Sequence, residues 1–297
     1  MDGIHSEQIT AAEVPVVRRP ATDDSMAARA RVRLQRAEGV ARVSFRRAGR
    51  GTGLARLYQE GCAKLRMPAG LPGEPAQAVL INTAGGLTGG DRFRTQVEVE
   101  AGASAIITTQ ACERIYRSTG DDTLIASQLH VGKRAALAWL PQETILFDQS
   151  RLRRTLDVDL ASDARFTAVE AVIFGRTAMG ERVHQGHFQD RWRIRREGRL
   201  LFADDLRFSG AIDRALQNAT VLAGNVAMAT LFHAGPEPER LLDSIRDALG
   251  DNGGASVWGG KLVARVVAKD GLHLRRAVEP ALRILMGGST LPTVWKL

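Results

Sequence analysis

Four carboxylates stand in segments that are otherwise fit for burial. Glu170 interrupts TAVEAVIF (Thr167 to Phe174), Glu113 sits in QACERIYRS, and Asp204 lies in LLFADDLRF beside Asp205. The fourth, Asp91, closes a run with four glycines in six residues, Gly85 to Gly90. A carboxylate taken out of water is costly unless it is paired or metal-bound. Two readings follow from the residues alone. Each acid is paired with one of the many arginines, or several of them line a polar passage or a transient cation site. Oxygen ligands suit a divalent cation, held weakly and with little selectivity.

Other chemistries find less support. A phosphate-binding P-loop needs a Lys and a Ser or Thr after its last glycine, and a helix behind it. Here Asp91-Arg92-Phe93 follow Gly90, a strand-like run comes next, and GGLTGG does not fit G-x-G-x-x-G. An acid at that position also repels phosphate. The glycines therefore read as a tight bend that packs closely against neighbouring strands. His184 and His187 are separated by Gly186 and another residue among strand-like runs, which reads as a solvated loop rather than a ligand pair. Cys112 has no histidine nearby in sequence and reads as small buried filler. Neither a G-x-S-x-G elbow nor an H-E-x-x-H motif is present, which argues against a hydrolase.

The elements that must position these residues are mainly strands. RFRTQVEVEAG, SAIITTQ, TLIASQLHV, TLDVDLA, RFTAVEAVIF and FQDRWRIRREGRLLF are short, rich in Val, Ile, Thr and aromatics, and bounded by turn residues. EAGASA and REGRL supply the glycines that corners and hairpins need. The spacing predicts a mainly β fold, an irregular β-helix or solenoid-like array of many short strands. About two helices fall in the C-terminal third: one in GPEPERLLDSIRDALGDNGG, the other from Glu279 to Gly287. No fixed-period repeat is visible, although degenerate coils would hide one. Residues 1–28 mix Pro, charge and small residues and read as a flexible tail; 29–297 read as one β-rich domain with C-terminal helices.

The net charge is +8 and the pI about 10.2. A basic balance fits nucleic acid, a membrane surface or an acidic partner. Arginine is scattered through the chain without an aromatic-rich stripe, which speaks against nucleic acid. No apolar run is long enough to span a bilayer, and the N-terminus lacks an export-type apolar segment. Two cysteines without CxxC spacing fit a reducing compartment, so a cytoplasmic protein is expected.

Four segments in order resemble one family, the urease accessory protein UreD (UreH) family. They are NTAGGLTGGDRF, ITTQACERIYRS, LAWLPQETILF and FGRTAMGERVHQG. The matching positions are Gly85, Gly86, Gly89 and Gly90 in the first and Thr108, Thr109, Arg114, Tyr116 and Arg117 in the second. Trp139 and Pro141 carry the third; Gly175, Arg176, Gly180 and Glu181 carry the fourth. The resemblance implies a non-enzymatic maturation factor of β-helical character, with no tightly bound cofactor. It implies three partners: apo-urease, the accessory protein UreF, and the GTPase UreG reached through UreF. It further implies nickel delivery to urease, with nickel in transit through an internal passage. Asp91, Glu170 and Asp204 match acidic positions of the family's motifs. Glu113 stands in a run, Ala111-Cys112-Glu113-Arg114, that departs from the family pattern. The alternative is a purely structural docking module whose acids are ion pairs. The apolar face of the C-terminal helices and the end LPTVWKL are expected contacts for UreF.

Overall fold

Strict alternation of side chains decides which way each strand faces, and here it builds two stacked sheets. The computed structural model describes residues 35–70, 73–176 and 179–296; the expected tail, 1–28, lies outside them. Among the described residues the strands are, in chain order, β1 (Glu38–Ala48), β2 (Gly51–Gly61), β3 (Ala63–Arg66), β4 (Ala76–Asn82), β5 (Arg92–Val99) and β6 (Ser104–Thr109). Next come β7 (Glu113–Ile115), β8 (Thr123–Val131), β9 (Ala136–Leu140), β10 (Thr144–Leu146), β11 (Arg151–Leu160) and β12 (Arg165–Phe174). The last are β13 (Gln185–Arg196), β14 (Arg199–Ala211), β15 (Ala227–Ala234), β16 (Gly253–Trp258) and β17 (Lys261–Ala268). The helices are α1 (Ile212–Gln217), α2 (Leu242–Leu249) and α3 (Gly271–Leu285).

One sheet has seven strands in the order β14-β13-β11-β8-β5-β1-β2; the other has the path β16-β17-β15-β12-β9-β6-β4-β3. Its centre is parallel: the chain runs along the first sheet, turns a corner, runs along the second and returns, for about four turns. The solenoid expected from the sequence is therefore the observed architecture. Arg92 pairs with Leu124, Leu124 with Arg153 and Arg153 with Gln189, offsets of 32, 29 and 36 residues. Unequal coils explain why the sequence shows no fixed period.

The corners explain the small residues. Ala103, Ala135 and Ala164 are buried one above another, each donating its N–H back to Glu100, Gly132 or Ala161 at 3.1, 3.1 and 3.2 Å. Gly132 donates to Val99 O at 2.8 Å in the coil before. A Cβ on Gly132 would sit 2.9 Å from Ala101 N, so the stack requires its absence. Between the sheets, β5 directs Phe93, Thr95, Val97 and Val99 inward, and β11 directs Leu152, Arg154, Leu156, Val158 and Leu160 inward.

Helices α2 and α3 cover the outer face of the second sheet, as shown by their shared core with β15 and β17. The helix expected from Glu279 instead begins at Gly271, where Asp270 accepts from His273 N at 2.8 Å as an N-cap, and it carries Pro280 inside. Leu274, Ala277, Val278, Ala281, Leu282 and Leu285 are buried. Leu291 and Trp295 are buried too, and Trp295 Nε1 donates to Leu140 O at 3.0 Å. The apolar face expected to meet UreF is thus used inside the chain. No helix among the described residues is long and apolar enough to cross a membrane.

Candidate functional site

The four acids have four separate sets of partners. Asp91 is buried at the bend after Gly90, and its two oxygens accept the backbone N–H of Ala37 at 2.8 Å and of Thr88 at 2.7 Å. It fastens the entry of β5, and its lone pairs serve backbone rather than an arginine. Asp204 reaches across from β14 to Arg265 of β17 at 2.5 Å. Glu113 accepts from Asn82 Nδ2 at 3.1 and 3.2 Å and from Arg114 N at 3.2 Å. It faces a pocket of about 150 Å³ that Asn82, Gly86 and Cys112 also line. Burial pushes the Glu113 carboxyl up to about 7, against its hydrogen bonds.

Glu170 is buried between the two sheets. Its neighbours along β12 (Phe166, Ala168, Val172 and Phe174) share its inward parity and pack in the core between the sheets. Trp139 Nε1 donates to it at 2.9 Å, and Arg154 from the opposite sheet pairs with it. Arg154 also grips Asp190 of β13 through both oxygens at 3.0 and 2.7 Å and donates to Thr144 Oγ1 at 3.1 Å. One guanidinium therefore faces two buried carboxylates. Burial raises the Glu170 carboxyl, Arg154 opposes that, and the Asp190 charge adds to it. Arg154 and Asp190 are absent from the sequence reading, yet both are legible by parity. Arg154 occupies an inward position of β11, and Asp190 an inward position between Phe188 and Trp192.

A second, partly buried pair joins the strands to α3. Arg275 donates to Glu143 at 2.9 and 2.6 Å and also to Gln142. Cys112 donates its thiol to Glu143 Oε2 at 3.2 Å, and burial pushes that thiol up to about 12. A thiol so raised is no nucleophile at neutral pH. His184 pairs with Asp213 at 2.9 Å, whereas His187 meets Ser209 at 3.4 Å, so the two histidines share no partner. Among the described residues, no group of three or more His, Cys, Asp or Glu is arranged to hold a metal ion.

The remaining motif residues gather on the side where the chain returns from the second sheet to the first. The glycine bend, the β6–β8 connection, the β9–β11 connection and the β12–β13 connection stack there in coil order. Leu87, Ile115, Leu146 and Phe174 pair in one buried row. The alternate positions, Arg114, Ile145 and Ile173, pair in an outward row. These line a groove of about 720 Å³ with Tyr116, Phe147 and Arg176. Arg176 lies 4.4 Å over the Phe147 ring and bonds Glu181 at 2.6 Å. Tyr116 meets Phe147 edge-on at 4.9 Å and donates to Gly85 O at 3.1 Å. The spacing of the glycines follows. A Cβ on Gly86 would lie 2.4 Å from Tyr116, and one on Gly175 2.4 Å from Glu181 O, with both at positive φ. Thr109 Oγ1 accepts from Gln142 N at 2.8 Å, tying the second motif to the third. Thr108, Trp139 and Pro141 are buried beneath, while Arg117 pairs with Ser150 and Gly180 turns at positive φ.

The raised Glu113 carboxyl gives a pH test. The folded state holds this proton where the unfolded chain has lost it, so its contribution to stability falls as pH rises from about 4.5 to 7. Glu113→Gln should therefore gain thermal stability relative to the parent at pH 8 and show little difference at pH 5. Melting curves at the two pH values check this, and a gain confined to pH 5 would contradict it.

Comparison with known proteins agrees with the motif geometry. A family model described as UreD urease accessory protein matches residues 37–296. Three relatives are each named "Urease accessory protein UreD". The Mesorhizobium japonicum protein is 49% identical over 89% of this chain and 95% of its own length. That of a Chelativorans species is 50% identical over 89% and 95%. That of Agrobacterium fabrum is 47% identical over 90% and 93%. The stacked motifs, the solenoid that aligns them and these matches along most of the chain lead to one conclusion: this chain belongs to the UreD urease accessory protein family.

Proposed function

We propose that this chain is a non-catalytic scaffold for nickel insertion into urease. It holds apo-urease and UreF together, UreG joins through UreF, and nickel passes along the interior of the solenoid. The observation that carries the passage is a polar string in a space that packing would otherwise fill with apolar groups. It starts in the pocket at Glu113, whose strand neighbour is Thr144. Thr144 bonds Arg154, and Arg154 bonds Glu170 and Asp190. A divalent ion cannot cross apolar packing without oxygen partners. The Glu113 carboxyl is raised by burial, so an arriving cation can displace its proton, whereas at Glu170 the cation competes with Arg154 for the carboxylate. Weak, unselective oxygen ligation suits cargo that must be released.

The docking alternative draws on two other acids. The oxygens of Asp91 are engaged by backbone N–H groups, and Asp204 is paired with Arg265. These two acids support the architecture in this reading, and the transit role rests on Glu113 and Glu170. Tagged full-length chain, mixed with apo-urease, UreF and UreG singly and together, tests the scaffold. It should retain apo-urease and UreF directly and UreG only with UreF present. Failure to retain either direct partner would contradict it.

A further inference from the structure

Strand β2 closes one side of the seven-stranded sheet, and among the described residues its outer edge pairs with no strand. Such an edge presents free N–H and C=O groups that another strand can take up, and proteins ordinarily blunt it with Lys or Pro. β2 has neither. Its larger side chains also stand in the open. Leu54, Leu57 and Tyr58 are 44, 41 and 47% exposed, three of the nine large hydrophobic side chains exposed among the described residues.

The ladder with β1 assigns the two faces of this edge. Leu57 and Gln59 stand opposite the buried Val43 and Ala41, so they point to the side of the second sheet. Arg56, Tyr58 and Glu60 stand opposite Ser44, Arg42 and Val40 and point outward. The register shifts between Ser44 and Phe45 and leaves Ala55 unmatched, so the regular part of the edge runs from Arg56 to Gly61. The charges there are few. Arg42 lies 5.3 Å over the Tyr58 ring, the Tyr58 hydroxyl donates to Glu60 at 2.5 Å, and Lys64 Nζ donates to Gly61 O at 2.9 Å. Arg56 and Glu60 are exposed, and among the described residues neither has an ion pair.

The order of these residues is self-complementary. A strand meets its own copy antiparallel about a two-fold axis, and the alternation of outward N–H groups allows only registers centred on a residue. Centred on Arg56, the two arginines oppose each other. Centred on Leu57, the ladder runs into the bulge at Ala55. Centred on Gln59, Arg56 is left without a counter-charge. Centred on Tyr58, the ladder uses only the regular stretch and sets Arg56 opposite the partner's Glu60 on both sides of the axis. The two Tyr58 rings then stand side by side, and the two Leu57 side chains lie diagonal on the inner face, within reach of one another.

We propose that β2 pairs antiparallel with β2 of a second copy of this chain, in the register centred on Tyr58, so that two seven-stranded sheets join edge to edge. The contact is short, so the dimer forms by mass action at high concentration. Sedimentation of the full-length chain between about 1 and 100 µM tests it. The average mass should rise with concentration toward twice the 32.2 kDa of one chain. Arg56→Glu and Glu60→Arg, each alone, place like charges opposite one another and should weaken dimerisation about tenfold or more, with melting temperatures unchanged. Mixed in equal amounts, the two variants should dimerise again, because each supplies the charges that the other lacks. A parent chain that stays monomeric at about 100 µM would overturn the inference, as would either variant dimerising like the parent. Two variants that stay monomeric on mixing would also overturn it, and would leave the edge to a strand of a different protein.

Discussion

Arg154→Ala should lower stability by about 3–5 kcal/mol, because it strands two buried carboxylates without their cation. In a domain of this size that corresponds to a fall in melting temperature of about 6–20 °C. The geometry sets the direction. Arg154 is the shared partner of Glu170, Asp190 and Thr144, and its side chain is 5% exposed. Water cannot take over these bonds without entering the core. A triple variant, Arg154→Met with Glu170→Gln and Asp190→Asn, removes the charges together and should lose less than the single one. Thermal melts of both variants read the comparison. A single variant that melts within about 2 °C of the parent would mean that the cluster does not brace the two sheets.

Ending the chain after Pro280 should abolish the fold rather than a docking contact. The deletion removes Leu282, Leu285, Leu291 and Trp295, which are 0, 4, 1 and 1% exposed. Burying each large apolar side chain contributes about 1.5–3 kcal/mol. Four of them together approach the whole stability of an ordinary domain, about 5–15 kcal/mol. Trp295 also donates to Leu140 O at 3.0 Å, so the cut leaves an acceptor of β9 uncovered. The expected result is insoluble or non-cooperatively unfolding protein. A truncated chain that is soluble and melts cooperatively would show that the C-terminal helix is dispensable for the core.

Much of the fold was legible in local pattern. RFTAVEAVIF is strand β12 from end to end. The REGRL turn is a two-residue hairpin, with Glu197 and Gly198 both at positive φ, as twist-matched hairpins require. The bend reading of the glycine run holds, since Asp91 fastens it through backbone N–H groups. Boundaries were harder. The last helix is expected from Glu279, but its cap is Asp270, whose role depends on its bond to His273.

Partners were the least legible part, because they are distant in sequence. Arg265 lies 61 residues from Asp204, and Arg275 lies 132 residues from Glu143. They meet only once β17 is laid beside the coils and α3 is packed over the second sheet. Arg154 and Asp190 could have been found by asking which charged residues share the parity of the apolar ones. The groove residues had no such signal: Tyr116, Phe147 and Arg176 come from three connections that stack only once the coils are closed.

In the proposed function, nickel reaches urease by way of the interior carboxylates. The most direct measurement is the nickel content of urease purified from cells in which Glu113→Gln and Glu170→Gln together replace the parent chain. The account predicts that the folded variant still co-purifies with apo-urease and UreF, while nickel per urease falls about tenfold or more. Urease loaded with nickel to the parent level, with the variant present and folded, would contradict it and leave the chain a docking scaffold alone.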